Sequence, residues 1–279
     1  MKYGFVLPGG DASLAAELAQ EAEQAAWDGF FMWEPVWGID PWVSLAAAAV
    51  RTQKIRLGTM LTPVSRRRPW KLASETVTLD RLSAGRLILA VGLGAVDTGF
   101  DKFGEETDRR KRAELLDEGL EILTGLWAGQ PFHFNGIHYQ VAETDFLPPP
   151  PPVQQPRIPI WVVGAWPWPK SMRRVLRYDG ILPMVKDKQG AHQADPEDIA
   201  AIKDYVEQNR APNTPFDIVV EGQTPGDDPE KAVHLVGTMQ EAGATWWIET
   251  LWDETEGIWQ EQGLERVRRR LRQGPPSVH

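Results

Sequence analysis

Residues 55 to 94 read IRLGTMLTPVSRRRPWKLASETVTLDRLSAGRLILAVGLG. The segment opens with a short apolar run, Ile55 to Leu61, and closes with another, Leu87 to Val91, with helical periodicity between them. Runs of this length and composition suit strands buried on both faces, and a helical crossover between two of them makes the strands parallel.

The same alternation extends in both directions. Further strand candidates are Tyr3 to Leu7, Phe30 to Trp33, Ile158 to Val163, Gly180 to Met184, Phe216 to Glu221 and Thr245 to Thr250. Eight strand–helix pairs result, and eight parallel strands close. The expected fold class is therefore α/β, a (β/α)8 TIM barrel formed by residues 1–279 as a single domain. Three helices carry explicit start signals: Asp40-Pro41, Asp195-Pro196 and Asp228-Pro229 each set a capping carboxylate before a proline at the first helical position.

In the helix after strand four, Ala113, Leu116, Leu120, Leu123 and Trp127 recur at three- and four-residue steps and form one apolar stripe, with Gly129 suited to the C-cap. Leu264, Val267 and Leu271 repeat the pattern in the last helix, where Arg268, Arg269 and Arg270 are expected to form a solvated surface. Between strands four and five, Phe132 to Phe134 and Ile137 to Val141 flank the turn signal Asn135-Gly136. Pro148 to Pro152 then give an extended polyproline connector. Hairpin and connector together make a small excursion rather than a second domain.

Composition narrows the chemistry. The chain has 279 residues, 42% of them hydrophobic, which is enough for one barrel-sized core. It contains no cysteine. Disulfides, thiolate nucleophiles, iron–sulfur clusters and zinc–thiolate sites are thereby excluded, and redox chemistry needs a bound cofactor. A net charge of −9 argues against nucleic acid or an anionic membrane as partner. No apolar run reaches membrane-spanning length and Met1 to Gly10 lacks signal-peptide features, so a cytoplasmic location is expected.

A packed barrel interior leaves ligands only the loops that follow the strands. Those loops hold Glu34, Thr59 to Arg68, Gly92 to Asp97, Gly164 to Trp168, Met184 to Lys186, Glu221 with Gln223, and Glu249 to Asp253. None of His133, His138, His192, His234 and His279 falls at a strand end, so a metal cage or a histidine triad has little support. Gly92-Leu93-Gly94 lacks the third glycine of a dinucleotide fingerprint and reads instead as a place of close ligand approach. Trp33, Trp37, Trp161, Trp166, Trp168, Trp247 and Trp252 lie on or just after strands, a concentration that suits a flat aromatic ligand.

On these residues the chain resembles the luciferase-like monooxygenase superfamily, whose barrels carry FMN or the deazaflavin coenzyme F420. The match runs from Asp40 to Gly94 through GTMLTPV, RRP, TLDRLSAGR and VGLG, then in looser order through FGEETDRRKRAELLDEGLEILTGLW, GIHY, PIWVVG and YDGILP. The resemblance implies a flavin-type oxidoreductase or monooxygenase with its cofactor ring against strand three. It implies a non-proline cis peptide bond between Met60 and Leu61, and cofactor contacts from Thr59, Met60, Leu61, Thr62, Gly92 and Gly94. Backbone around Gly164 and Ala165 would approach the cofactor phosphate, with Thr62 and one of Arg66, Arg67 and Arg68 nearby. Homodimers are common in that family and are the assembly it implies.

Two departures matter. Many members carry a histidine after strand two, where this chain has Met32-Trp33-Glu34-Pro35-Val36-Trp37, and the deazaflavin-linked sugar-phosphate dehydrogenases have an acid where this chain has Ala95. Glu34 is left as the candidate catalytic proton donor or base, if the surrounding tryptophans raise its pKa, against a capping or pairing role. Three functions follow. The first is an enzyme that moves a hydride between a flavin-type cofactor and a small organic substrate, or activates oxygen. The second is a barrel that binds flavin or another flat ligand without turnover. The third is a cofactor-free hydrolase or lyase using Glu34, Glu221 and Glu249. The first leads, and the missing histidine favours hydride transfer over oxygen insertion.

Overall fold

The structure, a computed structural model, describes residues 1–145, 148–186, 191–254 and 257–276. In chain order its strands are β1 (Lys2–Leu7), β2 (Gly29–Met32), β3 (Arg56–Pro63), β4 (Leu87–Gly92), β5 (Phe132–Asn135), β6 (Gln140–Thr144), β7 (Ile160–Trp166), β8 (Gly180–Lys186), β9 (Ala191–His192), β10 (Asp217–Gly222) and β11 (Trp246–Glu249). The helices are α1 (Ala12–Gln24), α2 (Pro41–Arg51), α3 (Pro69–Leu82), α4 (Arg109–Ala128), α5 (Pro169–Val175), α6 (Pro196–Asn209), α7 (Pro229–Ala242) and α8 (Glu261–Arg272). Parallel pairing runs β10-β11-β1-β2-β3-β4-β7-β8, and Asp217 opposite Gly180 returns β10 to β8 and closes the ring. The eight expected strands are all present. No described helix is long and apolar enough to cross a membrane.

The three Asp-Pro signals act as expected. Asp40, Asp195 and Asp228 accept from the backbone N–H of Val43, Asp198 and Lys231 at 2.9, 2.9 and 3.1 Å. Such caps contribute about 1 kcal/mol each. In α4 the stripe Leu116, Leu120, Leu123 and Trp127 is buried, and Gly129 stands at the C-cap. The hairpin β5–β6 forms around Gly136, but its second strand starts at Gln140 instead of Ile137. The cause is Glu118, whose carboxylate takes the N–H groups of Ile137, His138 and Tyr139 and withdraws them from the ladder.

One expectation on α8 is corrected. Arg270 is buried, donating to Glu249 Oε1 at 3.1 Å and Thr224 Oγ1 at 2.8 Å, and only Arg269 of the three arginines is exposed. Helical period explains this, since position 270 shares the inward face with Val267 and Leu271.

Two packed layers result. The larger lies between strands and helices, and the smaller fills the barrel with Val6, Phe31, Met60, Ile88, Ala90, Trp161, Leu182, Val219, Trp246 and Ile248. Phe31, Trp161 and Trp246 form the bulk of that plug, with ring centroids 5.1 to 6.2 Å apart. Glycine makes room for it: a Cβ on Gly29 would lie 2.6 Å from the Phe31 ring.

Candidate active site

Strand alternation carries the inward face one step beyond this plug, toward the carboxyl ends of the strands. Phe31 is followed there by Trp33, Ala90 by Gly92, Trp161 by Val163, Leu182 by Met184 and Val219 by Glu221. With Leu61 these residues floor a cleft of about 1260 Å³, and Trp33, Leu61, Val163, Met184 and Glu221 line it directly. A Cβ on Gly92 would sit 3.0 Å from Leu61 and 3.1 Å from Val163, so glycine keeps the floor open between them.

On the β3 side the strand bulges between Thr59 and Thr62, and the Met60–Leu61 peptide bond inside the bulge is cis. Thr62 Oγ1 donates to Glu34 Oε2 at 2.8 Å and lies 2.8 Å from Thr59 Oγ1. Because the Thr62 proton goes to Glu34, Thr59 is the donor between the two hydroxyls. Arg67 Nε reaches Glu34 Oε1 at 2.9 Å and Trp42 Nε1 reaches Oε2 at 3.3 Å. Arg66 donates to the backbone carbonyls of Glu34 and Pro35. Every group bonded to the Glu34 carboxylate is a donor, which fits a carboxylate that holds its neighbours in place.

A second cluster faces it across the loop after β4. Arg112, from the first turn of α4, donates to the carbonyls of Leu93 and Gly94 at 2.7 and 3.0 Å. Arg66 and Arg112 both pack on the Phe100 ring, at 4.9 and 5.7 Å from its centroid. Both line the cleft, and the Nε–H of each is buried without a partner among the described residues. Burial pulls both guanidinium groups below their ordinary pKa. Ser171, at the start of α5, also lines the cleft; its Oγ accepts from Ala165 N at 2.8 Å, which leaves the Ser171 hydroxyl proton to donate elsewhere. An anionic group entering here would meet two cations and a hydroxyl already in place.

The expected site residues are distributed unequally. Glu34, Met60, Leu61, Gly94 and Ala165 line the cleft; Thr59 and Thr62 are fully buried beside it. Gly164 faces α5, where a Cβ would be 2.6 Å from Ile181 and 2.9 Å from Val175. Glu249 is fully buried and tied to Arg270, Thr224 and Trp247 outside the barrel, away from the cleft. Of the noted tryptophans, Trp33, Trp168 and Trp252 line the cleft, Trp161 lies in the plug, Trp166 packs on Tyr205, and Trp37 is exposed. Arg112 and Ser171 escaped the loop-based reading because they sit on helices. The signal for Arg112 was its place four residues before Leu116 on the buried stripe of α4.

The sequence profile of the luciferase-like monooxygenases matches residues 4–274. The chain belongs to that family. It is 30% identical to an F420-dependent glucose-6-phosphate dehydrogenase of Amycolatopsis mediterranei, over 54% of this chain and 47% of that protein. It is 32% identical to the oxygenase component of a flavin-dependent trigonelline monooxygenase of Acinetobacter baylyi, over 46% of this chain and 35% of that protein. The chain thus spans half or less of the length of these curated relatives. Among solved structures, the coenzyme F420-dependent tetrahydromethanopterin reductase of Methanopyrus kandleri superposes with a TM-score of 0.73 at 18% identity, covering 93% of this chain and 97% of that one. The FMN complex of the oxygenating constituent of 3,6-diketocamphane monooxygenase from Pseudomonas putida superposes at 0.63 with 19% identity, covering 88% and 79%. At these identities the superpositions establish the family's barrel fold.

Proposed function

We propose that this family member, acting as one barrel domain, is an oxidoreductase that binds a flavin-type cofactor, FMN or coenzyme F420, and passes a hydride between it and a small organic substrate. The observation that carries the proposal is the cleft at the carboxyl ends of the strands, with Arg66 and Arg112 both packed on Phe100 and each left with a buried Nε–H that has no partner among the described residues. Arg66 has only the distant Glu34 carboxylate, 3.8 Å away and already bonded to Arg67, and Arg112 has no ion pair among the described residues, so a phosphate would supply charge and acceptors that both lack. The donor set therefore fits the phosphate of either cofactor. Relatives named for F420 or flavin chemistry support the same assignment.

The bound cofactor supplies the two-electron chemistry. Arg66, Arg112 and Ser171 hold its phosphate end. Met60 and Leu61 on the bulge of β3 offer an apolar face for its ring, and Trp33 and Val163 exclude water from the floor. Glu34 acts through what it holds, fixing Arg67, Thr62 and thereby the bulge. No histidine lines the cleft among the described residues, which favours hydride transfer over oxygen insertion.

Homodimer assembly goes with this proposal. Val43 and Val50 on α2 and Trp70 on the adjoining α3 are exposed apolar side chains that a second copy would cover. A single monomer-sized species in sedimentation at micromolar concentration would remove the dimer. For the cofactor, purified protein is titrated separately with FMN and F420 while tryptophan emission is followed, since Trp33, Trp168 and Trp252 line the cleft. Saturable quenching by one of them identifies it; no binding of either ends the oxidoreductase assignment.

A further inference from the structure

Five carboxylates line the cleft: Glu34, Asp108, Glu114, Asp117 and Glu221. Four are engaged structurally. Glu34 is bonded to Arg67, Asp108 caps α4 by accepting from Lys111 N, Glu114 is bonded to Arg110 and His138, and Asp117 is bonded to Arg174. Glu221 differs. Among the described residues its side chain is bonded by a neutral donor, Trp252 Nε1, at 3.3 Å, and no arginine or lysine pairs with it.

Position strengthens the contrast. Glu221 follows Val219 on the inward face of β10, so it stands in the floor layer with Trp33, Leu61, Val163 and Met184, all uncharged. In the closed ring β10 is four strands from β3 in either direction, so Glu221 faces the bulge of β3 across the barrel mouth. A flat ring against β3 and a substrate above this floor would leave Glu221 on the substrate's far side.

We propose that Glu221 is the catalytic residue that exchanges a proton with the oxygen of a small, uncharged carbonyl or hydroxyl substrate. This rests on the oxidoreductase assignment and deepens it. In the reducing direction the carbonyl carbon gains a hydride, both electrons coming from the reduced flavin-type cofactor, as the C=O π bond breaks. The oxygen takes the proton of the Glu221 carboxyl, giving an alcohol and a carboxylate that solvent reprotonates. The reverse direction uses the carboxylate as base for the hydroxyl proton. An apolar floor with one hydrogen-bonding acid favours an uncharged substrate, because a charged one would lose its hydration without a counterion there.

Burial raises the Glu221 carboxyl above its ordinary pKa, the bond from Trp252 working in the other direction. Elements packed beside it bring neutral groups, Met184 from β8, Ile248 from β11 and Trp252 from the turn that follows. The other charged lining groups are Glu34 and Arg66 after β2 and β3, Asp108, Arg109, Arg110, Arg112, Glu114 and Asp117 at the cap and in the first half of α4, and Lys170, Arg173, Arg174 and Arg177 in and after α5; none of them is bonded to Glu221. A carboxyl so placed stays protonated to higher pH and serves as acid in the reducing direction.

The test compares wild type, Glu221→Gln and Glu221→Asp, each first titrated with the cofactor that wild type binds. Failure of wild type to bind FMN or F420 would sink the oxidoreductase assignment; the proton assignment is judged on infrared pH titration of the protein itself. Expected is a protonated-carboxyl band in wild type that persists above the usual glutamate range, is lost in Glu221→Gln, and is retained in Glu221→Asp. Anaerobic oxidation of the reduced cofactor by a panel of small ketones and aldehydes supplies the second readout. Expected is turnover of at least one, with kcat lowered about 100-fold or more in Glu221→Gln, cofactor affinity within twofold, and Glu221→Asp intermediate. Wild-type kcat should fall as pH rises through the Glu221 titration, and that limb should vanish in Glu221→Gln. Absence of the infrared band, an unchanged kcat and pH profile in Glu221→Gln, or no turnover across the panel would each overturn the proposal.

Discussion

Thr62 Oγ1 lies 2.8 Å from Glu34 Oε2, and this one bond ties the bulge of β3 to the segment that follows β2. Both groups are buried, so neither can exchange the bond for one to water. Thr62→Val keeps the side-chain shape but removes the donor to Glu34 and the acceptor for Thr59. The expected loss is about 1–3 kcal/mol of stability, read by urea denaturation, together with weaker cofactor binding. Thr62→Ser should restore most of both. Equal behaviour of the valine and serine variants would show that the hydroxyl contributes nothing.

Arg112 provides the second prediction. It joins α4 to the loop after β4 through two carbonyl bonds, while its Nε–H is unpartnered beside the cleft. Arg112→Ala removes a charged donor to the proposed phosphate, an interaction of about 1.5–3 kcal/mol, so the cofactor Kd should rise roughly 10- to 150-fold. Lysine should not substitute, because one ammonium cannot replace a fork that binds two carbonyls and an anion together. A Kd unchanged in Arg112→Ala would place the phosphate elsewhere.

How these sites were and were not legible follows from the scale of the signal. Strands and capped helices are written locally: Asp40-Pro41 starts a helix wherever it falls, and the run Leu87 to Val91 suits only a buried strand. The Met60–Leu61 cis bond was expected from resemblance and is present. Partner choice is written in three dimensions. Arg270 stood in a run of arginines that looked solvated, yet its helical face turns it onto buried Glu249. Glu249 ends β11 and Glu221 is next to last in β10, but Glu221 points inward with Val219, whereas Glu249 points outward to Thr224 and Arg270. One residue of register separates a cleft carboxyl from a structural one, and the strand boundaries read from sequence are not sharp enough to decide it.

Gly94 supports a third prediction. Its φ of +72° is left-handed, and a Cβ there would meet Phe100 at 2.8 Å and Pro63 at 2.9 Å. Gly94→Ala meets both obstacles: about 1–2 kcal/mol for the backbone conformation, and displacement of the ring on which Arg66 and Arg112 both pack. Cofactor affinity should therefore fall more than thermal stability does. Gly104→Ala is the control, since φ there is +69° with no atom within 4 Å of the added carbon. It should show the conformational cost alone, with cofactor binding preserved. Equal loss of binding in both variants would mean that Phe100 does not matter.

The last prediction concerns acid stability. Glu23, near the end of α1, accepts from the backbone N–H groups of Gln53, Lys54 and Ile55 and so anchors the turn into β3. Burial works against its charged form, but the three N–H bonds and the nearby Arg86 outweigh it and hold the carboxyl below its ordinary value of 4.5. A carboxyl depressed in the folded state binds its proton more readily when unfolded. Its contribution is therefore fully present above pH 4.5 and is lost as pH falls through the lower folded value. Glu23→Gln removes that charge-dependent part. The stability gap between wild type and variant should be constant from neutral pH down to about 5 and narrow steadily below 4.5. Denaturant titrations across that range give the answer, and a gap that stays the same width at pH 3 would show that the charge of Glu23 does not hold the turn.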